Sequence, residues 1–223
     1  MTHSDDDGLV LPPRLAPTQV VILPVLHKEE ERARVLEYCD SLKEELSKKS
    51  YMGLPIRVEI DKRDIRGGEK VWGWIKKGVP VRVEVGPRDV AQNAVFAARR
   101  DDGSKKSVGR AEFVENIADT LKSIQDSMFE RAKKYRDENT VEISSKDEFY
   151  SFFTPKNPKK PEIHGGFAVA YYDGSREVEE MLKSDLKVTV RCIPLEGGSE
   201  GGKCIFTGKS CAGVVKAVFA KSY

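Results

Sequence analysis

The order in which two hydrophobic periods alternate between residues 18 and 90 constrains the fold of this chain more than any single motif. After LPPRLAP, residues 20–23 form a short apolar run, the pattern of a buried strand. From Lys28 onward Val35, Cys39, Leu42 and Leu46 recur at i, i+4, i+7 and i+11, one stripe of an amphipathic helix ending near residues 50–53. Ile56, Val58 and Ile60 then alternate with Arg57 and Glu59, and Val79, Val81, Val83 and Val85 alternate with Pro80, Arg82 and Glu84. Each reads as a strand with one buried face. Residues 69–77 fit a short helix between them. Strand, helix, strand, helix, strand at these lengths predicts right-handed crossover units on a largely parallel sheet.

Residues 93–98 add a strand, and the polar DDGSKK with Gly103 predicts a hairpin back towards Val108, which gives the sheet an antiparallel edge. A long helix from Ala111 carries Val114, Ile117, Leu121, Ile124 and Met128 on one face, and the domain closes near Asn139. The expected class is therefore α/β: a mixed, mainly parallel five-stranded sheet flanked by helices, over residues 18–139. Residues 140–223 predict a smaller α+β domain. It holds a capped short helix from Ser144 or Ser145, an extended basic linker in TPKNPKKP and an apolar run at 167–172. A helix in SREVEEMLK, an alternating strand at 188–192, a Gly-rich loop at 197–202 and a terminal strand in VVKAVFAKSY follow.

Composition removes whole classes. No apolar run approaches the roughly 20 residues that span a bilayer, residues 1–7 lack the basic-then-apolar order of a signal peptide, and a cytoplasmic protein is expected. Lys and Arg number 38 against 36 acids, so a nucleic-acid partner would need a local patch rather than a global excess. Cys39, Cys192, Cys204 and Cys211 show no CxxC spacing and read as reduced thiols. His3, His27 and His164 are isolated from any metal-type cluster, and GGSEGGK lacks the ending of a phosphate loop. The residues alone assemble no self-sufficient active site. The strongest recognition candidate is VRVEVGPRDV with AARR, where Glu84 alternates away from the valine face and Arg88, Asp89, Arg99 and Arg100 would gather, exposed, near strand ends. Arg and Asp read base edges through paired hydrogen bonds, although the same residues also fit a solvated edge with surface ion pairs. Trp72 and Trp74 fit either base stacking or core packing.

GLVLPPRLAPTQVVILPV at residues 8–25 resembles the junction between the catalytic and anticodon-binding domains of class II prolyl-tRNA synthetases of the archaeal and eukaryotic-like type. GEKVWGWIKKGVPVRVEVGPRD resembles that family's helix-to-strand segment, and IHGGFAVAYYDG, VRCIPLE, GKCIFTGK and VFAKSY resemble its C-terminal domain in order. The resemblance implies that residues 1–17 are the tail of a catalytic domain, 18–139 the anticodon-binding domain and 140–223 the C-terminal domain. It implies tRNA(Pro) as partner, with G as second and third anticodon letters, and Glu84, Arg88, Asp89 and Arg99 on the anticodon-facing surface. ATP and Mg would serve a full-length ligase whose catalytic residues lie upstream of Met1, in a domain that would also carry the homodimer contact. The piece by itself would not activate proline, and the Tyr223 carboxylate would approach the active site of the whole enzyme. A non-catalytic RNA-binding accessory protein built on the same module is the alternative.

Relatives in that family hold zinc through Cys-x4-Cys and Cys-x2-Cys pairs. Here Asp173, Val178, Cys204 and Thr207 stand at those positions. One thiolate of four remains, so the resemblance implies a domain without zinc that relies on its apolar core.

Overall fold

The computed structural model describes residues 3–26, 29–157, 159, 166–195, 202–210 and 213–222. The chain divides into two compact units, Met1–Ala132 and Lys133–Tyr223.

In the first unit, β1 (Val20–Pro24) leads to α1 (Glu29–Lys48), a hairpin of β2 (Ser50–Tyr51) and β3 (Leu54–Pro55), then β4 (Val58–Ile60) and α2 (Gly67–Lys76). Next come β5 (Val81–Val85), the one-turn α3 (Pro87–Ala91), β6 (Ala94–Arg99), β7 (Lys105–Gly109) and α4 (Arg110–Glu138). The sheet order is β4-β1-β5-β6-β7. β1 runs parallel to β4 and β5, whereas β6 is antiparallel to both β5 and β7, so the five-stranded sheet is evenly mixed.

Both expected helical stripes are buried. Val35, Cys39, Leu42 and Leu46 of α1 and Ile117, Leu121, Ile124 and Met128 of α4 share one core with Val20, Ile22, Val81, Val83, Val85 and Val95. Each such side chain contributes roughly 1.5–3 kcal/mol on burial, which fixes the face on which the two helices lie. Burial in this core also pushes the Cys39 thiol up to about 12, far from a reactive thiolate.

The opposite face is covered only in part. Val21 and Leu23 pack against Trp74 and Val79 beside α2. Asp61, 3 % exposed at the end of β4, accepts hydrogen bonds from the Arg63 guanidinium at 2.6 and 2.8 Å and from the Trp74 indole at 2.8 Å. The Arg63 bonds, with help from Trp74, outweigh burial and hold the Asp61 carboxyl far below the usual carboxylate range. An entry segment adds to this cover: Leu9 N donates to Lys76 O at 3.1 Å and Leu11 N to Gly78 O at 3.2 Å. Gly78 has φ +70°, and a Cβ there would sit 2.6 Å from the Leu9 carbonyl oxygen, so the close approach requires glycine. Asp5 clamps Arg100 at 2.5 and 2.6 Å. This cover corrects the expectation of one buried face: Arg82 and Arg100 lie on the nominal solvent face yet are only 4 % and 9 % exposed.

The second unit contains β8 (Thr140–Glu142), α5 (Lys146–Phe153), β9 (Phe167–Tyr172), α6 (Arg176–Leu186), β10 (Val188–Cys192) and β11 (Val215–Lys221). Its sheet order is β10-β11-β9-β8, with β11 antiparallel to both neighbours and β8 parallel to β9. Ser145 caps α5, its hydroxyl accepting from Glu148 N at 3.3 Å. Lys187 ends α6 in the left-handed region at φ 57°. The core is aromatic: the Phe149 ring lies 4.9, 5.0 and 5.2 Å from those of Phe153, Phe206 and Phe219. Edge-on pairs of this kind add about 0.5–1.5 kcal/mol beyond area burial.

Candidate nucleic-acid interface

Period-two alternation and register place two rows of side chains on the sheet face away from α1 and α4. One row is Leu23, Glu84, Phe96 and Ser107; the next is Val21, Arg82, Ala98 and Lys105. At the end of β5 the chain turns sharply. Pro87 starts α3 with its fixed φ, and Asp89 Oδ2 accepts from Gly86 N at 2.8 Å, satisfying a donor the short helix leaves free. This turn and the first row border an open cleft of about 820 Å³, lined by Val25, Glu31, Glu84, Arg88, Asp89, Phe96 and Ser107 among others. That size falls in the range of small-ligand pockets, roughly 300–1,000 Å³.

The charge in this cleft decides what it suits. Glu31, Glu84 and Asp89 bring three carboxylates against one guanidinium, so a phosphate would be repelled, whereas N–H donors on base edges would be accepted. Phe96 is half-buried and offers a ring face for stacking. Arg88 is exposed and makes no ion pair among the described residues. Asp89 has one oxygen committed to the Gly86 cap and so shapes the turn as well as facing the cleft.

Glu84, Arg88 and Asp89 are thus brought together, and Arg99 is not. Arg99 pairs with Val81 at the other end of β5, three strand positions and about 10 Å from the Glu84 level. Its guanidinium binds Asp101 at 2.9 Å and lies 3.5 Å from Asp102, and it borders a separate pocket of about 100 Å³ with Ser104, Phe113 and Thr120. Arg100 is likewise spent on Asp5, so the expected exposed gathering of four charges divides between two ends of the sheet. Trp74 is a core residue, whereas Trp72 is 44 % exposed with the Lys76 ammonium 5.5 Å from its ring. Phe96 and Ser107 escaped sequence reasoning because only strand register brings them to the cleft, and Val25 and Glu31 because the loop after β1 and the start of α1 reach it only in the folded chain.

Arg82 is the unexpected neighbour. Its Nε is buried without a partner, and among the described residues no carboxylate oxygen lies within salt-bridge reach of it. Burial pulls its pKa down, Glu84 opposes that shift and Arg100 adds to it.

In the second unit, the four positions implied for zinc do not fit a closed thiolate site. Asp173 Oδ1 accepts from Ser175 Oγ at 2.6 Å and Oδ2 from Thr207 Oγ1 at 2.8 Å. These bonds, Ser175 first, lower its pKa. Val178 and Cys204 are buried in the apolar core at 4 % and 1 % exposure, and valine offers no lone pair. Among the described residues no group of three or more His, Cys, Asp and Glu side chains is arranged to hold a metal ion. Cys211 and Tyr223 lie outside the described residues. No helix among them is long and apolar enough to cross a membrane.

Residues 19–120, which hold the mixed sheet and its cleft, match the family model of an anticodon binding domain. Residues 159–223 match the model described as the prolyl-tRNA synthetase C-terminal domain. Over the whole chain the sequence is 53 % identical to Proline--tRNA ligase 2 of Anaeromyxobacter dehalogenans, 50 % to Proline--tRNA ligase of Protochlamydia amoebophila and 48 % to that of Rhodopirellula baltica. The chain spans 44 %, 44 % and 43 % of those proteins. It belongs to the prolyl-tRNA synthetase family.

Proposed function

We propose that this chain reads the anticodon of tRNA(Pro) as part of a proline–tRNA ligase. The observation that carries the reading is the cleft itself, in which Glu84 and Arg88 supply acceptor and donor groups beside the Phe96 ring at the end of a rigid sheet. Unstacked loop bases are recognised by this combination of stacking and edge hydrogen bonds. ATP, Mg, the proline site and the homodimer contact belong to the part of the relatives that this chain does not span, and the chain alone is inactive in proline activation. The setting is the cytoplasm, away from membranes. The second unit holds no zinc in this reading, because an Asp–Thr hydrogen bond and two residues buried in the apolar core, Val178 and Cys204, stand at the ligand positions.

Replacing Arg88 with alanine tests the reading. If Arg88 reads a base, affinity for the tRNA(Pro) anticodon stem-loop falls by about 1–3 kcal/mol and discrimination against other loops relaxes. Binding titrations that show an equal loss for every loop would reduce Arg88 to a phosphate contact.

A further inference from the structure

The pocket of about 100 Å³ between the β6–β7 hairpin and α4 is separate from the cleft. Lys106 and Ser107 are consecutive on β7 and point to opposite faces. Ser107 borders the cleft, whereas Lys106, in register with Ala97 and through it with Val83, lies on the α4 side. The floor of this pocket is apolar, because Ala97, Val108 and Phe113 belong to the main core. Ala97 puts a single methyl between Val83 and Lys106, which leaves the hollow.

The rim groups differ in what they already bind. Arg99 is neutralised by Asp101 at 2.9 Å and Asp102 at 3.5 Å, and Thr120 Oγ1 donates to Asn116 O at 2.9 Å. Lys106 and Glu112 are exposed, and among the described residues their side chains make no ion pair or hydrogen bond, although they border the same small space. The Asn116 side-chain amide beside them is equally uncommitted. A simple anion would be drawn to Lys106 and repelled by Glu112, and a simple cation the reverse. A ligand that carries both charges answers both groups at once. Size sets the rest: at roughly 10–15 Å³ for each water-sized group, the space takes about seven to ten non-hydrogen atoms, the size of valine.

We propose that this pocket binds a free α-amino acid with a small aliphatic side chain. Lys106 takes the carboxylate, Glu112 takes the ammonium group, and the side chain lies on Val108 and Phe113, as apolar pockets with a few convergent polar groups hold small ligands. Both charge contacts are exposed, so the affinity is in the millimolar range. The site is independent of the anticodon reading: it is on the other side of the sheet and shares no lining residue with the cleft.

The experiment is a titration of backbone amide shifts in the isotope-labelled 223-residue chain, without RNA. The probes are L-valine and two analogues that keep its side chain and one charge each, isovalerate and isobutylamine. Valine gives saturable shifts on β7 and the first turns of α4, and each analogue binds about fivefold more weakly, the worth of one exposed charge contact. Lys106→Gln lowers valine affinity by a similar factor without weakening isobutylamine. Glu112→Gln leaves valine binding no better than isovalerate. L-Tryptophan, too large for the space, does not compete. Both substituted positions are exposed, and thermal melts of each variant confirm that the fold is intact. Absence of saturable shifts with valine, or equal binding of valine and the two analogues, would overturn the proposal, as would valine affinity that survives either substitution. Because no RNA is present, such a result leaves the anticodon reading where it stood.

Discussion

The two units solve the problem of a half-covered sheet in opposite ways. In the first, every buried polar or charged residue identified, Gln19, Asp61, Lys70, Arg82 and Arg100, belongs to loops, helix ends or the sheet face away from α1 and α4. Apart from Arg82, these groups bond α2, the end of β4 or the entry segment while leaving the Glu84 row open. The second unit has no such buried charge among its described residues and instead packs Phe149, Phe153, Phe206, Tyr172 and Phe219 edge to face. Buried polar networks specify a particular surface at some cost in stability, whereas apolar packing supplies stability without directionality. The first unit is thus organised around a surface and the second around a core.

Truncation should break that contrast most visibly. Phe149→Ala removes the ring on which three others converge and should cost about 3–5 kcal/mol. Amide exchange should report the loss in Lys133–Tyr223 and leave the strands of the first unit protected. Equal loss in both units would show that the aromatic cluster is not confined to one of them.

Acid sharpens the comparison next. A carboxyl whose folded pKa lies below its unfolded value of roughly 3.9 contributes stability that is complete above that value and is lost as pH falls through the folded one. The Arg100 hydrogen bonds bring Asp5 down to about 2, and Asp61 is lowered further by Arg63 and Trp74. Stability of the first unit should therefore fall as pH drops from about 4 to 2. Asp61→Asn should flatten that slope in a urea titration series at several pH values, with an unchanged slope counting against the Asp61 network.

The smallest effect concerns the second unit. Thr207→Val deletes an exposed hydroxyl bond to Asp173 and should cost no more than about 1 kcal/mol. A chelator should leave the melting temperature of the parent chain unchanged. A chelator-sensitive melt, with one zinc per chain by elemental analysis, would overturn the zinc-free reading.

The long elements were legible because each carries its period over many residues, so that the four-residue stripe of α1 matches its buried set and the five apolar positions of α4 are all buried, with Phe113 added. Short elements were not: α3 has five residues and β8 three, too few for any period to emerge. The Pro87 and Asp89 signature of α3 was nevertheless present in the sequence, as a proline at the first helical position with an acid two residues on. That Glu84, Arg88 and Asp89 border one cleft was legible because they are neighbours along the chain. Arg99 was misjoined to them because adjacency in a hairpin was read without its register. Arg82 was hidden for a different reason, since alternation cannot reveal that an entry segment and α2 lie across part of the nominal solvent face.

The hydrogen bond from Gly86 N to Asp89 Oδ2 bears on timing. It fixes the turn carrying Arg88 in the free chain, so under the proposed reading an RNA loop would meet a surface already shaped and little chain entropy would remain to be lost on contact. Loosening the turn with Asp89→Ala would also remove one of the cleft's three carboxylates, and the lost cap should shorten the life of the complex once formed. In that reading the Asp89 cap would bear on how long a loop is held more than on how fast it is found.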